Sequence, residues 1–317
     1  FVTFFPQLVA GPIVRPSQLL PQFKQSVWAT RQQCTWGLLL LTMGLFEKVV
    51  LADSILSPIA DKVFSSSRPV ACLDGWMATL VFSGQIFFDF AGYSLYAIGV
   101  AMMLGFSLPD NFRRPYAAVG FSDSWQRWHI SLSAWLRDYL YIPLGGNHRG
   151  PRRTYVNFML TMLPGGLWHG ADRRFLVWGG VHGLYLMIER LLRHRFHNRR
   201  WTAHPLGVGL AGLATFAAVS VTWVLFRAAT FTEAVHLLTS LVGGQTDGVR
   251  WLENFDLLLC SLVIAGMLAS PWCMRNLRIE DLVSRTPWWL LAIVWSVMLI
   301  LILLTRGESN ALFYFQS

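Results

Sequence analysis

Charged residues are scarce in this sequence. Only 14% of its 317 residues are Asp, Glu, Lys or Arg, whereas 54% are hydrophobic, and the mean hydropathy is +0.44. Soluble domains carry about 25% charged residues, so the composition excludes an ordinary soluble domain. Apolar runs of helix length recur along nearly the whole chain, which is typical of transmembrane helices. We therefore predict an all-α polytopic membrane protein.

Cysteine is also rare. The four cysteines, Cys34, Cys72, Cys260 and Cys273, show no Cys-x-x-Cys pair and no Cys/His spacing typical of a metal site. The sequence thus predicts neither a disulfide framework nor a metal centre. The chain begins at Phe1 without an initiator methionine or a signal-peptide pattern, so we expect further N-terminal helices to precede it.

Seven segments are long and apolar enough to be predicted as membrane-spanning helices. They lie at about residues 35–52, 76–106, 154–171, 174–192, 206–226, 255–274 and 287–305. Basic residues cluster between alternate segments, at 24–31, 113–127, 149–153, 190–200 and 275–285. The positive-inside rule places these loops in the cytoplasm. The net charge of +9 therefore indicates membrane topology and contact with anionic lipids, and not nucleic acid binding.

The segment from 107 to 150 is too polar to cross a bilayer, yet it contains a helical pattern. Four large apolar residues recur there at three- and four-residue steps: Trp125, Trp128, Leu132 and Trp135. We expect Ser122 or Asp123 to cap this helix, and His129 and Ser133 to share another of its faces. The helix either lies at the membrane interface, with its tryptophans as anchors, or enters a protein-lined cavity. Periodicity alone favours the interface.

A single histidine, His169, stands in the nearly apolar stretch "LPGGLWHGADRRFLVWGG" at 163–180. A lone histidine on an apolar helix is more often a hydrogen-bonded core residue. An ionisable side chain in a membrane segment is costly, however, which makes His169 a functional candidate. Gly165, Gly166 and Gly170 remove side-chain bulk around it, either to admit substrates or to let helices pack closely.

Several stretches resemble one family: "FFPQLVAGPIVRPSQLLPQF", "FFDFAGYSLYAIGVAMMLGFSLPDNFRRPY", "WQRWHISLSAWLRDYLYIPLGGN", "NFMLTMLPGGLWHGA", "VWGGVHGLYLMIER" and "WVLFRAATFTEAV". In this order they resemble the membrane-bound O-acyltransferase family, and most closely its bacterial alginate O-acetyltransferase branch. The resemblance covers most of residues 1–236, and 237–317 add C-terminal helices. It implies one integral-membrane domain over 1–317, a helical bundle with interfacial or re-entrant helices around a central tunnel.

The resemblance also implies an activity. It implies an enzyme of the bacterial inner membrane that passes acetyl groups from a cytoplasmic thioester for O-acetylation of an alginate-like exopolysaccharide. The implied donor is acetyl-CoA, and no tightly bound cofactor is implied. It further implies a polysaccharide acceptor, periplasmic acetyltransferase partners and contact with membrane lipids. His169 matches the catalytic histidine of the family, and His129 matches the second histidine of its motif. Imidazole suits a base that deprotonates a sugar hydroxyl because its pKa lies near neutrality.

Other residues near these motifs are candidates for holding the donor or the acceptor: Trp128, Ser133, Asn111, Arg113, Asp138 and Trp168. For the charged ones, a solvated cytoplasmic loop is the alternative. His182 also matches a histidine position of the family, but it lacks the aromatic and glycine-rich context of His169, so we interpret it as structural.

Two other functions stay open at this point. "GYSLYAIG" is closer to the D-alanyl transfer proteins of teichoic acid modification than to the alginate type, whereas "YIPLGGN" favours the polysaccharide branch. Composition alone also permits a membrane transporter. The sequence shows none of the symmetric, Pro- or Gly-broken halves of many transporters, so an enzyme is preferred.

Overall fold

The computed structural model describes residues 3–8, 10–24, 28–66, 68–195, 204–244, 248–274 and 283–305. In this part of the chain the fold is all-α, with one isolated β-bridge between Val70 and Val249. The helices are α1 (Pro16–Phe23), α2 (Arg31–Leu45), α3 (Ser57–Phe64), α4 (Cys72–Met103), α5 (Phe121–Arg127), α6 (Ile130–Leu136), α7 (Pro151–Leu167), α8 (Arg173–Arg195), α9 (Pro205–Arg227), α10 (Phe231–Leu241), α11 (Asn254–Cys273) and α12 (Trp288–Leu304). Two π-helical segments, Phe46–Leu56 and Arg137–Tyr141, follow α2 and α6.

Among the described residues, four helices are long and apolar enough to cross a membrane: α4, α8, α9 and α11. α12 is also apolar but has only 17 residues. The predicted all-α polytopic membrane protein is confirmed, and a helix occupies each of the seven predicted segments. The first extends further than predicted, because α2, a π-helical segment and α3 run without a break from Arg31 to Phe64. The predicted basic positions at 196–200 and 275–282 lie outside the described residues.

The chain forms two compact units. The described parts of Phe1–Pro58, Gly84–Phe112 and Trp272–Gln316 form the first, and those of Ile59–Ser83 and Arg113–Pro271 form the second. The single domain over 1–317 stays a prediction.

In the first unit, α2 and α4 approach each other at glycines. A methyl group on Gly37 would meet the carbonyl oxygen of Gly99, and one on Gly99 would meet that of Gly37. The same reciprocal contact joins Gly44 and Gly92. The two contacts are seven residues apart on both helices, which is about two turns. The helices therefore run antiparallel with their backbones in contact, as small residues permit in membrane proteins.

A buried ion network lies on the π-helical segment of the same unit. Lys48 Nζ is 2.7 Å from Asp89 Oδ1 on α4 and 2.9 Å from Asp53 Oδ1. At most 16% of each of these side chains is exposed. A single buried charge in a membrane segment would be costly, so the carboxylates stabilise the lysine and tie the π-helical segment to α4.

In the second unit, α7 and α8 form the most extensive helix pair. Gly166 of α7 lies against the carbonyl group of Phe175, and Gly179 of α8 lies against that of Met162. α5 and α9 pack on α8, and the π-helical segment Arg137–Tyr141 packs on α7. The α7–α8 pair therefore fixes the position of the turn that joins them, which contains His169.

We expect Gly92→Ala to destabilise the protein by about 1–3 kcal/mol, because the added methyl group meets the backbone of the facing helix. Gly209→Ala in α9 is the matched control. Nothing lies within 4 Å of a methyl group at that position, so helix propensity alone predicts equal or slightly higher stability. Thermal unfolding of the two purified variants measures the difference, and equal melting temperatures would contradict packing through glycine.

Candidate active site

His169 lies in the turn between α7 and α8. α7 ends at Leu167, and the next backbone N–H groups bond back three or four residues, which closes the turn. The helix predicted over about 154–171 thus ends at Leu167, four residues before the predicted end. Asp172 begins the next helix, since its Oδ1 accepts a hydrogen bond from the Arg174 N–H at 2.7 Å. This bond and the Arg174 guanidinium lower the pKa of the Asp172 carboxyl.

Aromatic rings from α8 and α9 surround the His169 imidazole. Its centroid lies 5.3 Å from that of Trp178 and 5.0 Å from that of Phe226, both edge to face, and 6.4 Å from that of Phe175. The residue as a whole is partly buried, and its Nδ1 atom is buried. Ring packing therefore fixes the imidazole in the turn.

His182, on α8, contacts the same Trp178 indole at a centroid distance of 4.5 Å. Its Nε2 lies 3.1 Å from Thr222 Oγ1, and that hydroxyl lies 2.6 Å from the carbonyl oxygen of Val219. A hydroxyl has one proton, which the carbonyl accepts. The Nε2–H of His182 must therefore donate to Thr222, so Nε2 carries a proton.

His129 joins these two histidines from the segment between α5 and α6. It is buried, with 5% of its surface exposed, and adopts the left-handed conformation with φ = +44°, which is uncommon outside glycine. His169 interacts electrostatically with both His129 and His182. We call His129, His169 and His182 the histidine cluster. No group of three His, Cys, Asp or Glu in the described ranges is placed to hold a metal ion.

The helix predicted through 125–135 is broken at Trp128 and His129. Trp128 is extended and 9% exposed, and its ring lies 6.2 Å from Tyr116 and 5.0 Å from Trp223. Membrane anchoring is therefore the wrong interpretation for Trp128. These aromatic rings, with Trp178, border a cavity of about 10 Å³, roughly the space of one water molecule.

The predicted cap at Ser122 or Asp123 is also wrong. α5 begins at Phe121, and the Asp123 carboxylate instead reaches back to the Val119 N–H at 2.9 Å and forward to Arg127 at 2.8 Å. Val119 precedes the helix, so Asp123 ties the first turn of α5 to the chain before it.

The three glycines near His169 pack against protein atoms. A methyl group on Gly166 would meet the Phe175 carbonyl, one on Gly170 would meet the Phe175 ring, and one on Gly165 would touch Leu136. Of the two interpretations that the sequence left open, helix packing describes these positions. The close approach brings Phe175 to His169.

The predicted donor and acceptor residues of the second unit occupy different places. Trp168 is 56% exposed, and its ring lies 5.8 Å from that of Trp135. The hydroxyl of Ser133 donates to the Trp128 carbonyl at 3.2 Å. Asp138 pairs with the exposed Arg137 at 2.7 Å, within the π-helical segment that packs on α7. Trp128 alone of these four borders the cavity beside the histidine cluster.

Arg113 and Asn111 belong to different units. Arg113 is exposed, and its backbone N–H donates to the Arg127 carbonyl at 2.9 Å. Asn111 is 1% exposed, and its side-chain amide donates to Ser94 Oγ at 3.1 Å. Ligand roles for both residues stay predictions.

Comparison with known proteins gives the family. Residues 1–222 match the membrane-bound O-acyltransferase family. The chain is 41% identical over 288 residues to the probable alginate O-acetylase AlgI of Pseudomonas putida (87% of this chain, 56% of that protein). It is 41% identical over 245 residues to the peptidoglycan O-acetyltransferase of Helicobacter pylori (77% and 46%). It is 28% identical over 201 residues to the teichoic acid D-alanyltransferase of Bacillus subtilis (59% and 49%).

The chain belongs to the membrane-bound O-acyltransferase family. It spans about half the length of the curated relatives that it matches.

The hydrogen bond between His182 and Thr222 predicts that the stability of the protein depends on the Thr222 hydroxyl. We expect Thr222→Val to destabilise the protein by about 1–3 kcal/mol, because the buried Nε2–H loses its acceptor. Thr222→Ser keeps the hydroxyl and should retain most of the stability. Thermal unfolding of both variants tests this, and a valine variant as stable as the serine variant would refute the assigned bond.

Proposed function

We propose that this protein is an O-acyltransferase of the bacterial inner membrane. It passes acetyl groups from a cytoplasmic thioester donor, acetyl-CoA, across the membrane for O-acetylation of an extracellular polysaccharide. The observation that carries the proposal is the position of the His169 imidazole, which aromatic rings fix beside two further histidines. Family membership supports acyl transfer over transport.

His169 is proposed as the general base. A neutral imidazole accepts the proton of an acceptor hydroxyl as the hydroxyl oxygen attacks the thioester carbonyl. The carbon–sulfur bond then breaks, and the leaving thiolate takes a proton from the imidazolium. The products are an ester and a free thiol, and the histidine returns to its neutral form.

The two other histidines are proposed in different roles. His129 is held in a left-handed conformation beside His169, where it would orient the acceptor or assist the base. His182 donates to Thr222 and packs on Trp178, so we propose that it positions the ring that borders His169. Trp128 would bound the reaction space, whereas Trp168, which precedes His169 in sequence, is exposed.

The acceptor is proposed to be a hydroxyl of a cell-envelope glycan. The names of two relatives include alginate and peptidoglycan, and an exopolysaccharide of the alginate kind is our preferred acceptor. Periplasmic acetyltransferases are the proposed partners that complete the transfer. D-alanyl transfer is the second candidate, which the "GYSLYAIG" stretch and the teichoic acid relative favour.

We expect His169→Gln to lower thiol release from acetyl-CoA by about 10²- to 10⁴-fold, the usual loss when a general base is removed. The measurement uses purified full-length protein with a glycan acceptor, and a thiol-reactive chromophore reports free CoA. His236→Gln, at an exposed histidine of α10, is the matched control and should keep full activity. Unchanged release in the His169 variant would remove this residue from the mechanism.

The donor distinguishes acetyl from D-alanyl transfer. An acetyltransferase should release thiol from acetyl-CoA and ignore a D-alanyl carrier protein, because each donor brings its own acyl group. We expect thiol release from acetyl-CoA and none from the D-alanyl carrier protein, measured with the same thiol-reactive chromophore. Thiol release only from the charged carrier would favour the second candidate and contradict ours.

The orientation of the chain can be tested with single cysteines in a cysteine-free background. Arginine-rich segments are expected in the cytoplasm, so a cysteine replacing Arg195 at the end of α8 should resist a membrane-impermeant thiol reagent in spheroplasts. A cysteine replacing the exposed Val242 should be labelled from outside. Labelling with the opposite pattern would invert the topology and the side that supplies the donor.

A further inference from the structure

A cleft of about 870 Å³ lies on the second unit, at the opposite end of the α7–α8 pair from His169. Its volume is within the range of small-molecule sites, about 300–1,000 Å³. Along α8, Arg190 is about 25 Å from the turn that contains His169. Aromatic, polar and basic residues and one acidic residue, Glu189, line the cleft: Tyr141, Asn147, Tyr155, Phe158, Glu189, Arg190, Arg193 and His194, together with Ser122, Pro151 and Leu186.

One wall of the cleft is the "YIPLGGN" motif, residues 141–147. Gly146 has φ = +50°, a conformation that favours glycine, and its carbonyl accepts a hydrogen bond from the buried side chain of Asn157 at 2.9 Å. The Tyr141 ring stacks on Phe158, with centroids 5.4 Å apart and planes at 6°. The motif is therefore fixed to α7 at two points.

Asn147 holds an arginine in the cleft. Its side-chain Oδ1 accepts a hydrogen bond from the Tyr141 hydroxyl at 2.7 Å and another from Arg190 Nη1 at 3.0 Å. A guanidinium has five N–H donors, and the contact with Asn147 uses one of them. The remaining donors of Arg190 are positioned by this bond beside the aromatic wall.

The positive charge of the cleft is only partly balanced. Glu189 pairs with Arg193 and also accepts a hydrogen bond from the Ser122 N–H at 2.8 Å. Across the described part of the chain, no carboxylate forms an ion pair with Arg190. The cleft thus presents a cation, in a fixed orientation, next to aromatic rings.

We propose that this cleft binds a phosphate ester, with Arg190 as its main recognition residue. The fork of a guanidinium matches phosphate oxygens, which it binds through two parallel hydrogen bonds. Two sources share this chemistry: the phosphorylated nucleotide end of coenzyme A, and the headgroup of an anionic phospholipid. The first source rests on the proposed function, because it makes the cleft part of the donor site, whereas the second does not.

The test uses full-length protein in phosphatidylcholine nanodiscs, with adenosine 3′,5′-bisphosphate as the soluble probe and adenosine as its unphosphorylated control. We expect the bisphosphate to bind and Arg190→Gln to weaken binding about tenfold or more. Arg190→Lys should lie between the two, because it keeps the charge but loses the fork. Arg153→Gln, an exposed position on α7 outside the cleft, makes the same charge change and should bind like the wild type.

A second arm measures co-purification of phosphatidylglycerol from mixed nanodiscs by mass spectrometry. Loss of nucleotide binding in Arg190→Gln supports the donor source, and loss of phosphatidylglycerol alone supports the lipid source. The melting temperature shows whether Arg190→Gln is folded. If this folded variant retains both ligands as well as the wild type does, the inference is overturned. It is also overturned if neither ligand binds the wild type. His169→Gln should bind either ligand normally, so a failure of the acyl-transfer proposal stays separate from a failure of this one.

Discussion

The candidate active site depends on the backbone contact between α7 and α8. At Gly166 and Gly179, each helix places a carbonyl group where the other has no side chain. This contact holds the C-terminal end of α7 against the first turns of α8. His169, in the turn that follows α7, therefore lies beside Phe175 and Trp178. Larger residues would separate the helices and move the histidine away from both rings.

Aromatic packing then organises the histidines. Trp178 contacts both His169 and His182, and Phe226 of α9 also packs against His169. Such ring contacts add about 0.5–1.5 kcal/mol each to the burial of apolar surface. In a membrane protein, burial from water contributes little to helix association, so ring packing of this kind is what fixes the orientation of these side chains.

The sequence predicted the helices well, because each long apolar run has the length that a membrane requires. The motifs around His169 and His129 made them candidates for the site, and their catalytic roles stay predictions. The sequence did not predict the break at Trp128, since periodicity favours a continuous helix and burial of that ring against Tyr116 and Trp223 overrides it. The amphipathic α10 was also missed, although Thr230 and Glu233 form a capping box at its start.

Contacts between distant residues were beyond what spacing can predict. His182 was interpreted from its local sequence alone, whereas the structure places it against Thr222, forty residues away. In the same way, Asn147 and Arg190 meet across 43 residues to shape the basic cleft. Apolar periodicity predicts which residues are helical, but the partners of polar side chains depend on how the helices pack.

The central claim is that an acyl donor reaches His169. Affinity labelling with bromoacetyl-CoA tests it most directly, because this analogue alkylates a nucleophile placed near the acyl carbon. With the cysteines replaced by serine and the full-length protein in membranes, peptide mapping should find the label on the His169 imidazole. Acetyl-CoA should protect this residue, and His169→Gln should abolish labelling there. Labelling confined to residues outside the histidine cluster, unaffected by acetyl-CoA, would contradict the account.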